Sequence, residues 1–292
     1  MKSRVLYLSV IVSIISCVGW NWKKDAPKNE VNSAKNNMVS VAGGTFTADS
    51  TLVSISSFTI DRYEVTYELW KEVKNWGLSH GYTDLPAGEN GCRPEGSNNP
   101  VTQVNWYDII KWCNARSERD GFTPVYYTDG TQSTLYRTGE KDINIDAVQW
   151  TANGYRLPTE CEWEFAARGG ILTHGFKYSG SNTIDDVAWY YGNSENTTHP
   201  VGQKKANELG IYDMNGNVWE WCWDWYGDTY PSGGTTDPKG PAASQRFRLQ
   251  RGASFAYSDY NCWVNVRLSD LLTSFPDYRD ATPVFGFRCV RH

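Results

Sequence analysis

Two kinds of hydrophobic pattern follow one another along the chain from Met38 onward. Apolar and polar residues alternate in "MVSVAGGTF" (38–46) and in "LVSISSFTIDRYEVT" (52–66), which predicts strands paired across turn residues. The next stretch, "YELWKEVKNWG", has helical spacing, and Gly77 is expected to end that helix. The first part of the domain is therefore predicted to fold as strands followed by a helix.

A second helix is predicted from "NWYDIIKWCNARSERDG". Asn105 is a residue type that caps helix N-termini, and Gly121 stands where the pattern ends. Helical spacing places four apolar side chains on one face of this helix, which is expected to pack on the core: Trp106, Ile109, Ile110 and Cys113.

A third helix is predicted from "LPTECEWEFAARGG", where Thr159 and Glu162 have the spacing of a capping box and two glycines follow. The Asp-Gly pair in "VYYTDGTQSTLY" indicates a β-hairpin. Residues 170–217 and 226–248 show little periodicity and are predicted to be ordered loops.

The end of the chain is predicted to supply short strands around residues 251–255, 262–267 and 285–290. A few helices would then pack on a small, mostly antiparallel core with much irregular chain. This combination predicts the α+β class.

The first seventeen residues, "MKSRVLYLSVIVSIISC", are typical of an export signal. Lys2 and Arg4 precede an apolar stretch, 5–15, which is shorter than the about 20 residues that a membrane-spanning helix needs. The closing "IISC" resembles the lipobox of bacterial lipoproteins, which implies lipidation of Cys17. The alternative is ordinary signal cleavage beside a bystander cysteine.

The domain organisation follows from this start. Residues 1–17 form the signal, the polar residues 18–37 form a flexible tether, and residues 38–292 form one domain. A lipidated Cys17 would anchor the exported domain to the outer membrane. We expect it to face the cell surface, the periplasmic side being the alternative.

Composition excludes several functional classes. The net charge is −5 and no Lys/Arg-rich run is present, so nucleic acid is not an expected partner. The 14 Trp and 18 Tyr favour a loop-rich fold whose core is filled by large rings. They do not favour a helical bundle or a doubly wound sheet.

The remaining cysteines permit disulfides in an exported chain, but most stand among apolar residues. We therefore expect buried free thiols, with a disulfide framework as the alternative, at Cys92, Cys113, Cys161, Cys222, Cys262 and Cys289. The four histidines are scattered and pair with no cysteine cluster, so a zinc site is not expected.

Four motifs occur in a characteristic order: "GYRLPTECEWEFAARGG", "LGIYDMNGNVWEWCWDWYG", "RGASF" and "GFRCVR". Together they resemble the formylglycine-generating-enzyme (sulfatase-modifying factor) family, over about residues 38–291. The resemblance implies a C-type-lectin-like fold.

The same resemblance implies a test for enzyme activity. Enzymes of this family oxidise a sulfatase cysteine through copper held by two cysteines in the form R-G-G-S-aromatic-x-C-x-x-x-x-C. Here the second cysteine falls on Cys262, the first on Tyr257, and the third residue of the motif is Ala253. A phenol does not replace a thiolate for Cu(I), so we expect no enzyme activity and no required cofactor. A copper-dependent formylglycine-generating oxidase is the alternative.

The last 42 residues have a distinctive composition. Residues 1–250 contain 36 Lys, Glu, Gln and Met, whereas residues 251–292 contain none. About six would be expected at the earlier density. The tail is rich in residues that arise from an AAC or AAT codon when its adenines change, and Trp263 arises from AGG by one such change.

This pattern resembles the variable proteins of diversity-generating retroelements, of the Treponema type, several of which are lipoproteins. The resemblance implies a variable region, 251–292, in which frame residues hold the backbone while changing side chains bind a ligand non-catalytically. The frame residues are Arg251, Gly252, Ser254, Phe255, Cys262, Val264, Arg267, Gly286 and Phe287. The changing, ligand-binding positions are Ala256, Tyr257, Ser258, Asp259, Tyr260, Asn261, Trp263, Asn265, Val266, Leu268, Asp270, Leu271, Leu272, Thr273, Ser274, Asp277, Tyr278, Asp280, Ala281, Thr282 and Phe285.

The expected partner is a protein or glycan on another cell or a host, together with the membrane through the lipid anchor. Two alternatives stay open. The tail is fixed and lacks four residue types by chance, or the protein has a purely structural role in the envelope.

One metal is implied by the resemblance. In the family's enzymes the segment matching "DMNGNVWEW" binds calcium, which carries over to Asp213, the Gly216 and Val218 carbonyls, and Glu220. Such a calcium ion would be structural. The alternative is a turn and strand whose acidic residues make local hydrogen bonds.

Overall fold

The computed structural model describes residues 37–92, 98–227, 229–231, 234–242, 247–267 and 281–292. Within these ranges the helices are α1 (Tyr67–Leu78), α2 (Trp106–Asp120), α3 (Glu160–Ala167) and α4 (Ile184–Val187). The strands are β1 (Met38–Val41), β2 (Gly44–Ala48), β3 (Thr51–Ile55), β4 (Phe58–Asp61), β5 (Glu89–Asn90), β6 (Val101–Thr102), β7 (Trp219–Trp225), β8 (Arg248–Arg251), β9 (Phe285–Gly286) and β10 (Val290–Arg291).

The strands form small sheets rather than one large one. The orders are β1-β4-β10, β2-β3, β5-β6 and β8-β7-β9, and all pairs are antiparallel except the parallel pair β7–β9. Long irregular segments join them, so the predicted α+β class is confirmed. The C-terminal strands complete two sheets, which ties the end of the chain to its centre.

The two predicted helix caps are confirmed. Asn105 accepts from the Asp108 amide at 2.9 Å at the start of α2, and Gly121 ends that helix in the left-handed region with a φ of 80°. Thr159 and Glu162 form the predicted capping box of α3. The burial of α2 is wider than its predicted apolar face, because the helix is covered on all sides from Trp106 to Ser117.

Helix α1 differs slightly from its prediction. Gly77 does not end the helix, which continues to Leu78. A side chain at Gly77 would lie 3.1 Å from the Cβ of Tyr82, so the glycine permits close packing there instead.

Strand β7 is the centre of the fold. Its tryptophans at 219, 221, 223 and 225 belong to one hydrophobic cluster, while Cys222 belongs to the other, as strand alternation requires. Six tryptophan side chains are almost fully buried, which confirms the predicted aromatic core: Trp70, Trp106, Trp112, Trp163, Trp219 and Trp221.

Two of the strands predicted in the tail differ from the structure: one lies at other residues, and the other is not a strand. The strand predicted at 251–255 lies at Arg248–Arg251 instead and ends at Arg251, because Gly252 and Ala253 leave the extended region with φ of 95° and 68°. No strand runs through 262–267: a 3-10 helix, Asp259–Cys262, is followed by a turn, and Cys262 is buried without a partner strand. The predicted Asp-Gly hairpin is present only as isolated pairing, with the Thr128 amide 2.9 Å from the Thr134 carbonyl.

The cysteines of the described ranges are free thiols, five of them buried and Cys92 partly exposed. The Sγ atoms of Cys113 and Cys289 lie 3.7 Å apart. No helix in the portion covered by the structure is both long and apolar enough to cross a bilayer.

Candidate functional site

Two buried arginines hold the ends of the stretch that follows β8. The guanidinium of Arg251 donates to the Val266 carbonyl at 2.8 Å and to the Glu164 carboxylate. Arg267 donates to both carboxylate oxygens of Glu160, at 2.6 and 2.9 Å. Burial alone would lower the pKa of Arg251, but the Glu164 and Glu160 carboxylates outweigh it and raise that pKa. The stretch is thus fixed at both ends by charged pairs.

The backbone turns sharply after Arg251. The Gly252 carbonyl accepts from the Gly216 amide at 2.8 Å, and a Cβ at Gly252 would lie 3.0 Å from the Trp163 ring. Ala253 has a φ of 68°, where a non-glycine residue costs about 1 kcal/mol. Strand β8 therefore ends at Arg251.

The residues assigned to the frame are buried in the structure. Ser254, Cys262 and Phe287 are fully covered, and Phe255 and Val264 are at most 5% exposed. The Phe255 carbonyl accepts from the Ser194 hydroxyl at 2.8 Å, and its amide donates to the Asn217 carbonyl at 2.9 Å. These contacts fix the backbone from which the changing side chains project.

Most of the described changing positions stand outward. The exposed ones are Ser258, Asp259, Tyr260, Asn265 and Ala281, and the partly exposed ones are Ala256, Tyr257, Trp263 and Thr282. They are separated by buried frame residues, so exposure and burial alternate irregularly along the stretch.

Three positions do not stand outward as predicted: Asn261, Val266 and Phe285 are 8%, 9% and 1% exposed. The Phe285 ring packs against Trp221 at a centroid distance of 5.1 Å, because residue 285 lies in β9 beside β7. The Asn261 side chain turns back and accepts from the Ser258 hydroxyl at 3.0 Å. In this conformation these three side chains present little surface to a ligand.

Several predicted residues lie outside the described residues. They are Cys17 and the changing positions Leu268, Asp270, Leu271, Leu272, Thr273, Ser274, Asp277, Tyr278 and Asp280.

The outward side chains include a group of aromatic rings. Tyr260 is 50% exposed and its ring lies 4.7 Å from that of Trp263. Tyr257 packs edge-on against Trp219 at 5.4 Å. The Lys177 ammonium lies 4.5 Å from the centre of the Trp263 ring, so this ring already contacts a cation from its own chain.

A segment that the sequence did not indicate lies beside these rings. We name residues 189–194 the fixed loop, because they precede the variable region. The Tyr191 amide donates to the Tyr257 carbonyl at 2.9 Å, and Tyr191 is 68% exposed. Asn193 braces the loop by accepting from the Tyr190 amide at 3.0 Å and donating to Asp185 at 3.1 Å. Without periodicity or a motif in these residues, no sequence signal could have found the loop.

Cys262 is placed poorly for chemistry. Burial, and then the Asp259 carboxylate, raise the pKa of its thiol above the ordinary range, which suppresses the reactive thiolate. Its carbonyl accepts from the Asn215 side chain at 2.6 Å. The side chain therefore fills the core rather than a reaction site.

One residue of the predicted calcium site, Glu220, is held by a buried arginine. Arg288 donates to both carboxylate oxygens of Glu220 at 2.7 Å, and Trp163 donates to one of them at 2.9 Å. Among the described residues, no three Asp, Glu, His or Cys side chains converge as a metal-binding group. Glu220 is thus neutralised without a metal ion.

Asp213, in contrast, has an oxygen that a cation would fit. Its Oδ2 accepts from the Gly202 amide at 2.6 Å, while its Oδ1 is buried without a hydrogen-bond partner. Burial raises the pKa of Asp213 to about 6. Burial, with Asp213 and Glu220 nearby, also raises the pKa of Glu64. The carboxylates of Glu64, Asp213 and Glu220 face the single guanidinium of Arg288, so the local charge favours binding of a cation. Of these, Asp213 has a buried oxygen without a hydrogen-bond partner that could bind one.

One cavity borders the changing positions. It has a volume of about 370 Å³ and reaches the exposed Asn265, with Arg168, Arg267, Tyr226 and Tyr230 in its wall. Its two arginines are already paired, since Arg168 contacts Glu164 at 2.6 Å and Arg267 holds Glu160. The exposed Asp49 also lines it.

Comparison with known families gives a match that spans nearly the whole chain. Residues 23–292 match the family described as the sulfatase-modifying factor enzyme 1-like domain. A chaperone protein, LppX, of Paenibacillus barcinonensis is 42% identical, covering 89% of this chain and 90% of its own.

Two further relatives connect the chain to enzymes and to variable proteins. The formylglycine-generating enzyme of Streptomyces coelicolor is 34% identical over 63% of this chain and 60% of its own. The solved structure of Treponema denticola variable protein 1 superposes with a TM-score of 0.68 at 32% identity, covering 87% of this chain and 94% of that one. The chain is thus similar both to an enzyme and to a variable protein built on one fold.

Proposed function

The chain belongs to the family of the sulfatase-modifying factor enzyme 1-like domain, and from this premise we propose that it binds ligands without catalysis through its variable region. It has the formylglycine-generating-enzyme-like fold and resembles Treponema denticola variable protein 1. Neither likeness identifies a ligand, so the proposal depends on the geometry of the site.

One observation carries the proposal: between Arg251 and Arg267, frame residues are buried while most changing positions are exposed or partly exposed. A rigid backbone that presents exchangeable tyrosine, serine, aspartate and asparagine side chains is the arrangement of an antibody paratope. Change at these positions alters contacts with a ligand without repacking the core.

Deep sequencing of the 3′ end of the gene across a growing population and neighbouring strains tests the diversification. We expect substitutions to cluster at the exposed positions between 256 and 285 and at adenines of a nearby template repeat. An invariant tail with no template repeat would contradict the proposal, and Cys262 should then be tested for chemical reactivity.

The copper-oxidase alternative has its own test. A sulfatase-derived peptide containing the target cysteine is incubated with copper-loaded protein and oxygen, and the product is followed by mass spectrometry. We expect no turnover, because Tyr257 stands where the family motif requires a cysteine and Cys262 is buried. Y257C serves as the matched variant that restores the second thiol, and turnover by the parent protein would refute the binding-only proposal.

The likeness to LppX, 42% identical over 89% of the chain, favours a second candidate function, assistance in the folding of an exported protein. The test is suppression of aggregation of a chemically denatured model protein by the full chain. Suppression at substoichiometric ratios, unaffected by substitutions at the exposed changing positions, would favour this candidate over ligand capture.

We also propose that lipidation of Cys17 anchors the domain to the outer membrane, facing the cell surface. The "IISC" sequence supports this, and metabolic labelling with a fatty-acid analogue, lost in C17S, tests it. Protease treatment of intact cells then distinguishes the surface from the periplasmic side.

A structural calcium ion near Asp213 is a further proposal, supported by the unpartnered Oδ1 of that residue. Calorimetric titration of chelator-treated protein should release heat and raise the melting temperature, and D213N should abolish both. Absence of heat and of any rise in melting temperature would dispose of the ion.

A further inference from the structure

A constant lysine lies against one of the changing side chains. The Lys177 ammonium lies 4.5 Å from the centre of the Trp263 ring and 4.9 Å from that of Tyr178. Lys177 is exposed and precedes the variable region, whereas Trp263 belongs to it. No carboxylate of the described ranges forms an ion pair with Lys177. Its ammonium is therefore held by aromatic faces rather than by a counter-ion.

The backbone fixes Lys177 beside position 263. The Lys177 amide donates to the side-chain oxygen of Asn182 at 2.9 Å, and its carbonyl accepts from the Val264 amide at 3.2 Å. Val264 is a frame residue, and the Tyr178 ring that also contacts the ammonium is buried. None of these contacts involves the side chain at 263, so the lysine should stay next to that position in every variant of the site.

The genetic code restricts which residues can stand at position 263. Changes at adenines account for the composition of the variable region, and Trp263 then arises from an AGG codon. That codon has a single adenine, and replacing it with each other base gives arginine, glycine or tryptophan. The side chain beside Lys177 is thus a second cation, a hydrogen atom or a large ring.

These residues differ in how much of the Lys177 charge they leave available to a ligand. A tryptophan covers one side of the ammonium, and the negative face of its ring offsets part of the positive charge. Glycine uncovers that side without adding charge. Arginine adds a second guanidinium-type cation, which attracts an anionic group together with the lysine. The affinity of this surface for an anion should therefore increase from tryptophan to glycine to arginine.

We propose that Lys177 is a fixed contact residue for carboxylate side chains of an acidic protein partner, and that the residue at position 263 determines how strongly it is used. The inference rests on the proposed ligand-binding function and names the partner chemistry of the same site. Exposed side chains such as Tyr260 give an open surface, which suits a protein partner better than a small ligand that needs a concave pocket. With Trp263, as in this chain, the lysine is partly shielded.

The test compares the parent chain with W263G and W263R, each with and without K177Q. The probe is a labelled peptide of Glu-Gly repeats with blocked ends, followed by fluorescence polarisation at low ionic strength. W263G adds no charge, so any gain in affinity must come from groups that are already present. We expect a gain of about threefold, the size of one exposed ion pair. K177Q should remove this gain, while it should change the affinity of the parent by less than about twofold.

W263R should bind the same peptide about threefold more tightly than W263G, because it contributes a second exposed ion pair. A peptide of Arg-Gly repeats should lose affinity in W263R. K141Q removes an exposed lysine outside the site and should have the same small effect in all backgrounds. Melting temperatures report any change in folding, and comparing K177Q within one background cancels such a change.

Three results would overturn the proposal. The first is no gain in W263G, and the second is an equal loss from K177Q in the parent and in W263G. The third is a gain for a carboxylated polysaccharide, hyaluronate, without a gain for the acidic peptide, which would assign Lys177 to a glycan instead of a protein.

The outcomes distinguish this inference from the proposed function. If natural variants bind ligands with no dependence on Lys177, the inference fails and the binding function stands. If the natural tail is invariant while affinity for the acidic peptide follows the residue at 263 through Lys177, diversification fails and the Lys177 contact stands. Sequencing should find arginine, glycine and tryptophan at position 263, and other residues there would refute the restriction to these three.

Discussion

Arg267 and Glu160, 107 residues apart in the chain, form a two-bond ion pair with distances of 2.6 and 2.9 Å. Both side chains are less than 10% exposed, and Arg251 also approaches Glu160 at 3.5 Å. The pair joins the far end of the exposed stretch to the first residue of α3. The position of the changing side chains therefore depends on a contact with the constant part of the domain.

The first prediction concerns this pair. R267M removes the charge but retains much of the side-chain volume, leaving the Glu160 carboxylate buried with one weak partner. We expect a loss of about 3 kcal/mol in the free energy of unfolding, measured by urea denaturation, because breaking a buried pair leaves an uncompensated charge. K71A, which breaks the exposed 2.8 Å pair with Glu68, is the control and should cost less than about 1 kcal/mol. Equal losses of stability in the two variants would show that the buried pair of Arg267 with Glu160 does not stabilise the fold more than an exposed pair.

A second prediction concerns pH. Asp224 lies in β7 and accepts from the Glu160 amide at 2.7 Å. Burial, and then repulsion by Glu160, raise its pKa from the ordinary 3.8 to about 8. Between these values the unfolded chain has released the proton while the folded chain retains it. Asp224 therefore reduces stability progressively as the pH rises from about 4 to 8.

D224N removes this penalty and keeps an oxygen for the Glu160 amide. Relative to the parent, its free energy of unfolding should be unchanged near pH 4 and should increase with pH, reaching a constant gain above pH 8. The expected gain at the plateau is on the order of 5 kcal/mol, since each pKa unit corresponds to about 1.4 kcal/mol. Thermal and urea unfolding at a series of pH values measures the difference. A gain that is the same at every pH would show that the carboxylate of Asp224 is ionised in the folded protein.

The thiols of Cys113 and Cys289 give a third prediction. Their Sγ atoms lie 3.7 Å apart, and both residues are fully buried. Refolding with oxidised glutathione should join them, the two thiols giving two protons and two electrons to the glutathione disulfide. Burial, followed by the neighbouring Cys113, raises the pKa of Cys289, so oxidation of the native protein should be slow and refolding should be required.

The product should lack both thiols in a titration under denaturing conditions and should be about 2–4 kcal/mol more stable than the reduced protein. C113A should eliminate the gain, while C161A, which removes a buried cysteine elsewhere, should retain it. A stable oxidised product in the C113A variant would assign the disulfide to other cysteines.

The sequence predicted the parts of the fold that depend on local chemistry. The caps at Asn105 and Thr159 were predictable because a side chain at the cap accepts from an amide three residues later. The strand predicted at 262–267 was wrong because the apolar spacing of Cys262 and Val264 is produced by a 3-10 helix and a turn rather than by strand alternation.

The sequence predicted only the part of the candidate site that residues 251–292 contribute. Tyr191 could not be predicted, since its place beside Tyr257 is a tertiary contact between segments more than sixty residues apart. The burial of Phe285 was missed for the same reason, because it arises from the parallel pairing of β9 with β7. Composition predicts which residues change, but it does not show which of them face solvent.

The last prediction separates the two kinds of changing position. Tyr260 is half exposed, whereas Phe285 is 1% exposed and packs against Trp221 at 5.1 Å. F285A should lower the free energy of unfolding by about 3–5 kcal/mol, because it removes a buried ring and leaves a cavity. S258A and Y260A should each lower it by only about 1 kcal/mol, because Ser258 loses one hydrogen bond to Asn261 and the half-exposed Tyr260 ring loses its contact with Trp263.

Urea denaturation of the three variants measures these differences, with near-ultraviolet circular dichroism to report whether the tryptophan core stays packed. The ligand-binding proposal requires this division, because only positions that change at little cost to folding can be diversified freely. Natural variants should accordingly retain a large apolar residue at 285 while 258 and 260 vary widely. Variants in which a small polar residue at 285 coexists with an unchanged melting temperature would show that β9 does not pack on β7 as described, and that Phe285 belongs to the exposed surface after all.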